Sequence, residues 1–246
     1  MLLPYYSIGS SADKIEKELI AEFKQHFKPA YISKPNMYLP IILPESIDKI
    51  FHGYWGINNT KEGMNNAKKT SIIWVRKEGI LKNRNTRAPI RNQRCLIPSN
   101  GFFVKHEEKY FFIYFPKEPV ITLAGIYQFD QVRRKNETLT LLDHPDIRFI
   151  LLTKSSSPRF SKITSRMPVI ISRGSRRKFL NLKKPMMDIT HLLQREINLD
   201  FNGIEVSPEL FMKKSPGKPD FHRKTLKLYA VQKFPQKEIL GSLYYH

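Results

Sequence analysis

The chain has 246 residues, of which 41% are apolar and spread along the whole length. That excludes intrinsic disorder as the main state and is enough for one packed domain spanning 1–246. Lysine and arginine total 42 against 22 aspartate and glutamate, a net charge of +20, which makes nucleic acid the expected partner because neutralising phosphates releases condensed counterions.

In chain order, an extended start to Gly9 gives way to a helix with Ser10 as N-cap and Asp13 three residues on. Ile15, Leu19, Ile20, Phe23 and Phe27 share one face at helical spacing, and Pro29 closes the helix. Its charges are balanced, Lys14 and Lys17 against Glu16 and Glu18, unlike a basic membrane-surface helix. A strand over 38–43 follows, then a short aromatic, glycine-broken segment over 51–57 and a polar loop over 58–70. Residues 71–76 read as a strand, and 77–94 as a basic helix or loop. From there the pattern turns to β: 94–97, 101–105, 110–115, 120–127 and 147–153 are apolar runs bounded by turn residues, with a shorter strand at 167–171. Residues 175–180 and 188–197 read as helices, 203–206 and 225–231 as strands, and 212–220 as a flexible basic loop. This order predicts an α+β fold with a mainly antiparallel, curved, barrel-like β-sheet core and peripheral helices.

One cysteine, Cys95, rules out an intramolecular disulfide and sits in an apolar run, as a buried inert thiol does. With no secretion signal and no apolar stretch long enough to span a bilayer, the expectation is a cytoplasmic protein without membrane contact. No dinucleotide fingerprint, P-loop or nucleophile elbow occurs, and no two of His26, His52, His106, His144, His191, His222 and His246 stand at metal-ligand spacing. No metal and no cofactor are expected, and the chain is expected to be a monomer.

Five segments in order are similar to signatures of the SOS-response-associated peptidase (SRAP) family of abasic-site-processing proteins. YWGI at 54–57 resembles the tryptophan-glycine element of that family, and IIWVRKE at 72–78 falls where it has Asn-Ala-Arg-x-Glu. RCLIPSNGFFVK at 94–105 resembles Arg-Cys-Leu-x-Pro-x-Asp-Gly-Phe-Tyr-Glu-Trp. LAGIY at 123–127 is similar to an Ala-Gly-Leu-Trp strand, and FILLTKSSS with SKITSRMPVII to the segment ending in His-x-Arg-Met-Pro-Val-Ile.

The resemblance implies a chemistry in which a cysteine at position 2, exposed as the N-terminus, attacks the ring-opened aldehyde of an abasic site in single-stranded DNA and forms a thiazolidine. An Asn, a Glu and a His orient the sugar and move protons. In this chain those positions hold Leu2, Trp74, Val104 and Thr164. Leucine has no thiol, tryptophan offers only a donor, valine transfers no proton and threonine has no useful pKa, while one proton-transfer group is worth about 10²–10⁴ in rate. His106, two residues past Val104, is the one histidine near the lost set.

The resemblance also implies a retained binding side. Arg76 and Arg166 stand where family members contact phosphate or the abasic sugar. Thr153 and Ser155–Ser157 end a strand where hydroxyls and amides hold phosphate, and Tyr54 and Trp55 fall in the element that packs against bases. Lys82, Arg84, Arg87, Arg91 and Arg94 crowd the stretch beyond Arg76, the basic and aromatic pattern of a single-strand groove. Against each stands the plainer reading of a solvated charge or, for Trp55, core packing. Three functions fit: a pseudoenzyme binding single-stranded or junction DNA non-covalently, a residual enzyme forming a Schiff base through its N-terminal amine, and a protein-interaction module facing an acidic partner.

Overall fold

The computed structural model describes residues 1–58, 71–129, 147–196, 199–211 and 230–235. The chain runs β1 (Leu2–Ile8), α1 (Ala12–Leu19), β2 (Glu22–Phe23), β3 (Ala30–Ser33), β4 (Tyr38–Leu43), β5 (Ser46–Trp55), β6 (Ile57–Asn58), β7 (Ser71–Ile72) and β8 (Trp74–Arg76). A 3-10 turn at Lys77–Gly79 leads to α2 (Arg84–Arg87) and α3 (Pro89–Asn92). Then come β9 (Arg94–Ser99), β10 (Gly101–His106), β11 (Lys109–Tyr114), β12 (Ile121–Phe129), β13 (Ile147–Ser155), α4 (Pro158–Ser161), β14 (Arg166–Pro168) and β15 (Ile170–Ile171). The last described elements are α5 (Arg176–Leu180), α6 (Met186–Gln194), β16 (Asn202–Val206) and β17 (Ala230–Pro235). The expected loop over 58–70 begins as the end of β6 at Asn58; from residue 59 it lies outside the described residues, as do the expected loop at 212–220 and the expected strand at 225–231 up to residue 229.

The fold is α+β and sheet-rich, as its apolar runs predict. One sheet has the order β17-β16-β11-β10-β1-β3 and the other β14-β13-β12-β9-β4-β5-β2. The larger sheet closes on itself, because β5 pairs with β13 in parallel at Tyr54↔Arg148 and Trp55↔Phe149. Strands β13, β12, β9, β4 and β5 thus form a ring of backbone hydrogen bonds, with parallel contacts in an otherwise antiparallel set.

Side chains alternate across the larger sheet, as a pleated strand requires. From β13, Phe149 and Leu151 enter a core between the two sheets, shared with Tyr6, Phe102, Val104 and Ile113 of the smaller one. Ile150 and Leu152 point the other way, onto Ile15 and Leu19 of α1, Phe179 and Leu180 of α5, and Ile189 and Leu193 of α6. The β9 strand is buried throughout. It crosses into β10 through Gly101, where a Cβ would lie 2.1 Å from the Ile113 carbonyl, so only glycine fits that approach.

The first helix is shorter than its apolar spacing suggests. Ser11 caps it rather than Ser10, whose hydroxyl instead accepts from Asn100 Nδ2 at 2.7 Å. Ile20 takes a left-handed conformation (φ 55°) and ends the helix. Phe23 leaves in β2, which pairs in parallel with β5, and its ring stacks on Phe27 at 4.6 Å. Two aromatic positions that mimic helical spacing are held by sheet pairing and by each other.

Candidate nucleic-acid interface

Strand β13 organises the candidate site. Over its C-terminal half β8 runs parallel along one edge, with Trp74 opposite Leu151 and Arg76 opposite Thr153. Along the other edge β14 runs antiparallel, with Arg166 opposite Ser155 and Pro168 opposite Thr153. Two arginines far apart in sequence are therefore delivered to one strand end.

The Arg166 side chain is 22% exposed and well tied. Its Nη2 donates to Glu78 Oε2 at 3.1 Å and to Thr153 Oγ1 at 3.1 Å. Its backbone is pinned by Thr164, whose Oγ1 donates to the Arg166 carbonyl at 2.8 Å and accepts from the Arg166 N–H at 3.4 Å. Thr153 is buried, and its hydroxyl donates to the Val75 carbonyl at 3.4 Å. Ser155 gives both its N–H and its Oγ to Glu78 Oε1, at 2.8 and 3.1 Å. Arg76 is exposed.

Glu78 is the residue that sequence reasoning passed over, except as an anchor of its motif. Partial burial pushes its carboxyl pKa up, but the Ser155 N–H and the Arg166 guanidinium outweigh that and bring it down to about 2. Its place two residues after Arg76 was the available signal.

Leu2, Trp74, Val104 and Thr164 form no polar centre. Leu2 lies opposite Val104 in the β1–β10 pairing. Val104 is fully buried, and half-buried Leu2 and Trp74 pack against the same cluster, which also contains Ile163. Thr164 is buried, and its N–H donates to the Phe160 carbonyl at 2.9 Å. The Met1 amine donates to the Lys105 carbonyl, and its pKa is lowered by burial and then by the Lys105 charge. His106 swings over to this region, where its Nδ1 lies 3.2 Å from the Ile163 carbonyl, next to Thr164. Cys95 is buried, which raises its thiol pKa and leaves it inert.

Two expectations are corrected. Trp55 is 1% exposed, its Nε1 donates to the Ile73 carbonyl at 2.8 Å, and its ring packs on Tyr6, so it is a core residue that no base can reach. Arg94 is fully buried and donates to the carbonyls of Phe179, Ile90, Arg91 and Asn181 at 2.6–2.9 Å, so it fastens α3 to α5. Burial lowers its pKa to about 10, leaving it charged at neutral pH. Tyr54 is half-buried with the Arg148 guanidinium 4.7 Å over its ring. Arg84, Arg87, Lys82 and Arg91 are exposed. Their segment is tied back to the Glu78 turn by Thr86, whose hydroxyl donates to the Ile80 carbonyl at 2.7 Å.

Residues 5–211 match the family described as SOS response associated peptidase (SRAP). The chain belongs to the SRAP family. Among solved structures, an SRAP-like fold is shared with a protein from Bacteroides thetaiotaomicron, at 22% identity and TM-score 0.72, covering 90% of this chain and 99% of that one. A protein from Bordetella bronchiseptica is similar at 17% identity and TM-score 0.64, covering 83% and 100%. A phage-related protein from the same organism is similar at 15% and 0.61, covering 82% and 94%. No curated protein matches. Membership associates this SRAP protein with the SOS response and DNA damage. Among the described residues no group of three or more His, Cys, Asp or Glu could hold a metal ion, and no helix is long and apolar enough to cross a membrane.

Proposed function

We propose that this SRAP protein binds single-stranded or junction DNA non-covalently, as a pseudoenzyme. The observation that carries the reading is a contrast at one strand end. Arg76 and Arg166 converge beside Thr153 and Ser155, while Leu2, Val104 and Trp74 pack into or against an apolar core; with Thr164 these are the positions that the resemblance implies for the reacting groups. Cationic and hydroxyl donors recognise phosphate without chemistry. The apolar set supplies no thiol and no proton-transfer group. Arg84 and Arg87, exposed on α2, extend the cationic surface, and the net charge of +20 favours any polyanion. In this reading the chain acts as one domain and as a monomer in the cytoplasm, without metal or cofactor.

Fluorescence anisotropy with a labelled single strand tests the reading. Tight binding at low salt is expected, with a logarithmic slope of about −0.7 per phosphate neutralised. Failure to retain the strand at low salt overturns it. An oligonucleotide carrying an abasic site is expected to bind without forming a heat-stable adduct. A stable adduct would restore the enzyme reading.

A further inference from the structure

The Glu78 carboxylate occupies a set of donors suited to a larger anion. One of its oxygens receives the Ser155 N–H and hydroxyl, and the other receives Arg166 Nη2. Two polar groups, one on β14 and one just past β13, are left over. Arg166 Nε and the hydroxyl of Ser156, the residue after Ser155, are buried with no hydrogen-bond partner. Buried polar groups are ordinarily paired, so the orphan Nε of the guanidinium that already holds Glu78 points to an occupant with more acceptor atoms than a carboxylate.

The donors belong to the sheet and the acceptor to the surface. Ser155 lies in β13, paired on one side by β14. The Arg166 backbone is clamped by Thr164, and its guanidinium also rests on Thr153. Glu78, by contrast, sits in a single 3-10 turn that buries no residue, and 41% of its side chain is exposed. Gly79 follows it, with nothing within 4 Å of where a Cβ would stand. An exposed acceptor on donors held by the sheet is open to exchange for another anion.

We infer that Glu78 is an internal ligand in an oxyanion site at the end of β13, displaced when a backbone phosphate of a nucleic acid binds there. The inference rests on the nucleic-acid reading above for the identity of the ligand, but the site itself is defined by Ser155, Arg166 and the unpaired groups. Its carboxyl stays ionised down to about pH 2, so displacement is competition between anions and not protonation.

The test removes the internal ligand in two ways. Glu78→Ala empties the site, and Glu78→Asp keeps the charge while shortening its reach by one methylene. Each is compared with the unsubstituted protein and with the same change in an Arg166→Ala background. Inorganic phosphate is the first probe, read as the rise in melting temperature. A labelled single strand is the second. Both variants are expected to be stabilised more by phosphate than the unsubstituted protein. They are expected to bind the strand about 5–10-fold more tightly, the scale of one charge-assisted hydrogen bond discounted for exposure. Both gains are expected to vanish without Arg166. Equal or weaker phosphate response in Glu78→Asp overturns the inference and makes Glu78 a positioning residue for Arg166. A gain that survives loss of Arg166 also overturns it, as a bulk charge effect. A positive phosphate response with no strand binding by any form upholds the oxyanion site and discards the nucleic-acid reading alone.

Discussion

Arg76 and Arg166 reach the same end of β13 from opposite edges, Arg76 as the register partner of Thr153 and Arg166 as that of Ser155. The separation of the two positions along β13 is two residues, about 7 Å at the usual rise of a strand. The two arginines stand on opposite edges, so β13 itself lies between them and each meets an anion separately.

In the nucleic-acid reading this separation predicts additive behaviour. Arg76→Ala and Arg166→Ala are each expected to reduce the salt slope of single-strand binding by about 0.7, and the double variant by about twice that. Arg84→Ala and Arg87→Ala, on the exposed α2 helix, are expected to weaken binding without preference for sequence. Anisotropy titrations across sodium chloride concentrations check both. A double variant with the unsubstituted slope would remove the strand end from the interface.

The Glu78–Arg166 contact also predicts an acid dependence of stability. The folded carboxyl titrates at about 2, below the usual value of about 4.3. A carboxyl depressed by folding stabilises the protein fully above its unfolded pKa, and loses that contribution as pH falls towards the folded pKa. Glu78→Gln is therefore expected to cost about 1 kcal/mol at pH 7, a size limited by the solvent exposure of the pair. The gap from the unsubstituted protein should narrow between about pH 4.3 and 2. Melting temperatures of both proteins over that range test it. A gap constant with pH would show that Glu78 acts through its shape alone.

What the sequence showed and hid follows from the range of the interactions. Strands β9 to β13 were legible because apolar residues run between turn signals, whichever face they point to. The closure of the larger sheet was not, because the parallel pairing of Trp55 with Phe149 spans 94 positions with no local pattern to announce it. In the site, Arg76 and Arg166 were identified through the order of motifs, while Glu78 was lost among the many charges around it. Arg94 was misread because its partners are backbone carbonyls, which leave no complementary charge in the sequence.

That misreading gives a third prediction. Arg94 satisfies four carbonyls with a planar fork, and a lysine ammonium cannot reproduce that geometry. Arg94→Lys is expected to cost about 3 kcal/mol in urea unfolding, through carbonyls left unpaired and an ammonium left poorly solvated. The fraction that remains folded is expected to keep its salt slope for DNA. A reduced slope would place Arg94 at the interface after all.

A glutamate at Val104, where the resemblance to the family implies one, should fail for the same kind of reason. Val104 is fully buried, faces Leu2 across β1 and β10, and shares its cluster with Phe111, Phe160 and Ile163. A carboxyl placed among those apolar side chains is desolvated, and burial would raise its pKa and favour the neutral acid. Val104→Glu is expected to cost more than about 3 kcal/mol, through lost packing and an unsatisfied polar group. Adding Leu2→Cys to it is expected to yield no heat-stable adduct with an abasic oligonucleotide, because the acid is neutral and Thr164 supplies no second proton carrier. Urea unfolding gives the first number, and denaturing gel electrophoresis of the double variant gives the second. An adduct from a stably folded double variant would mean that this core opens to water, and the pseudoenzyme reading would give way to a latent enzyme.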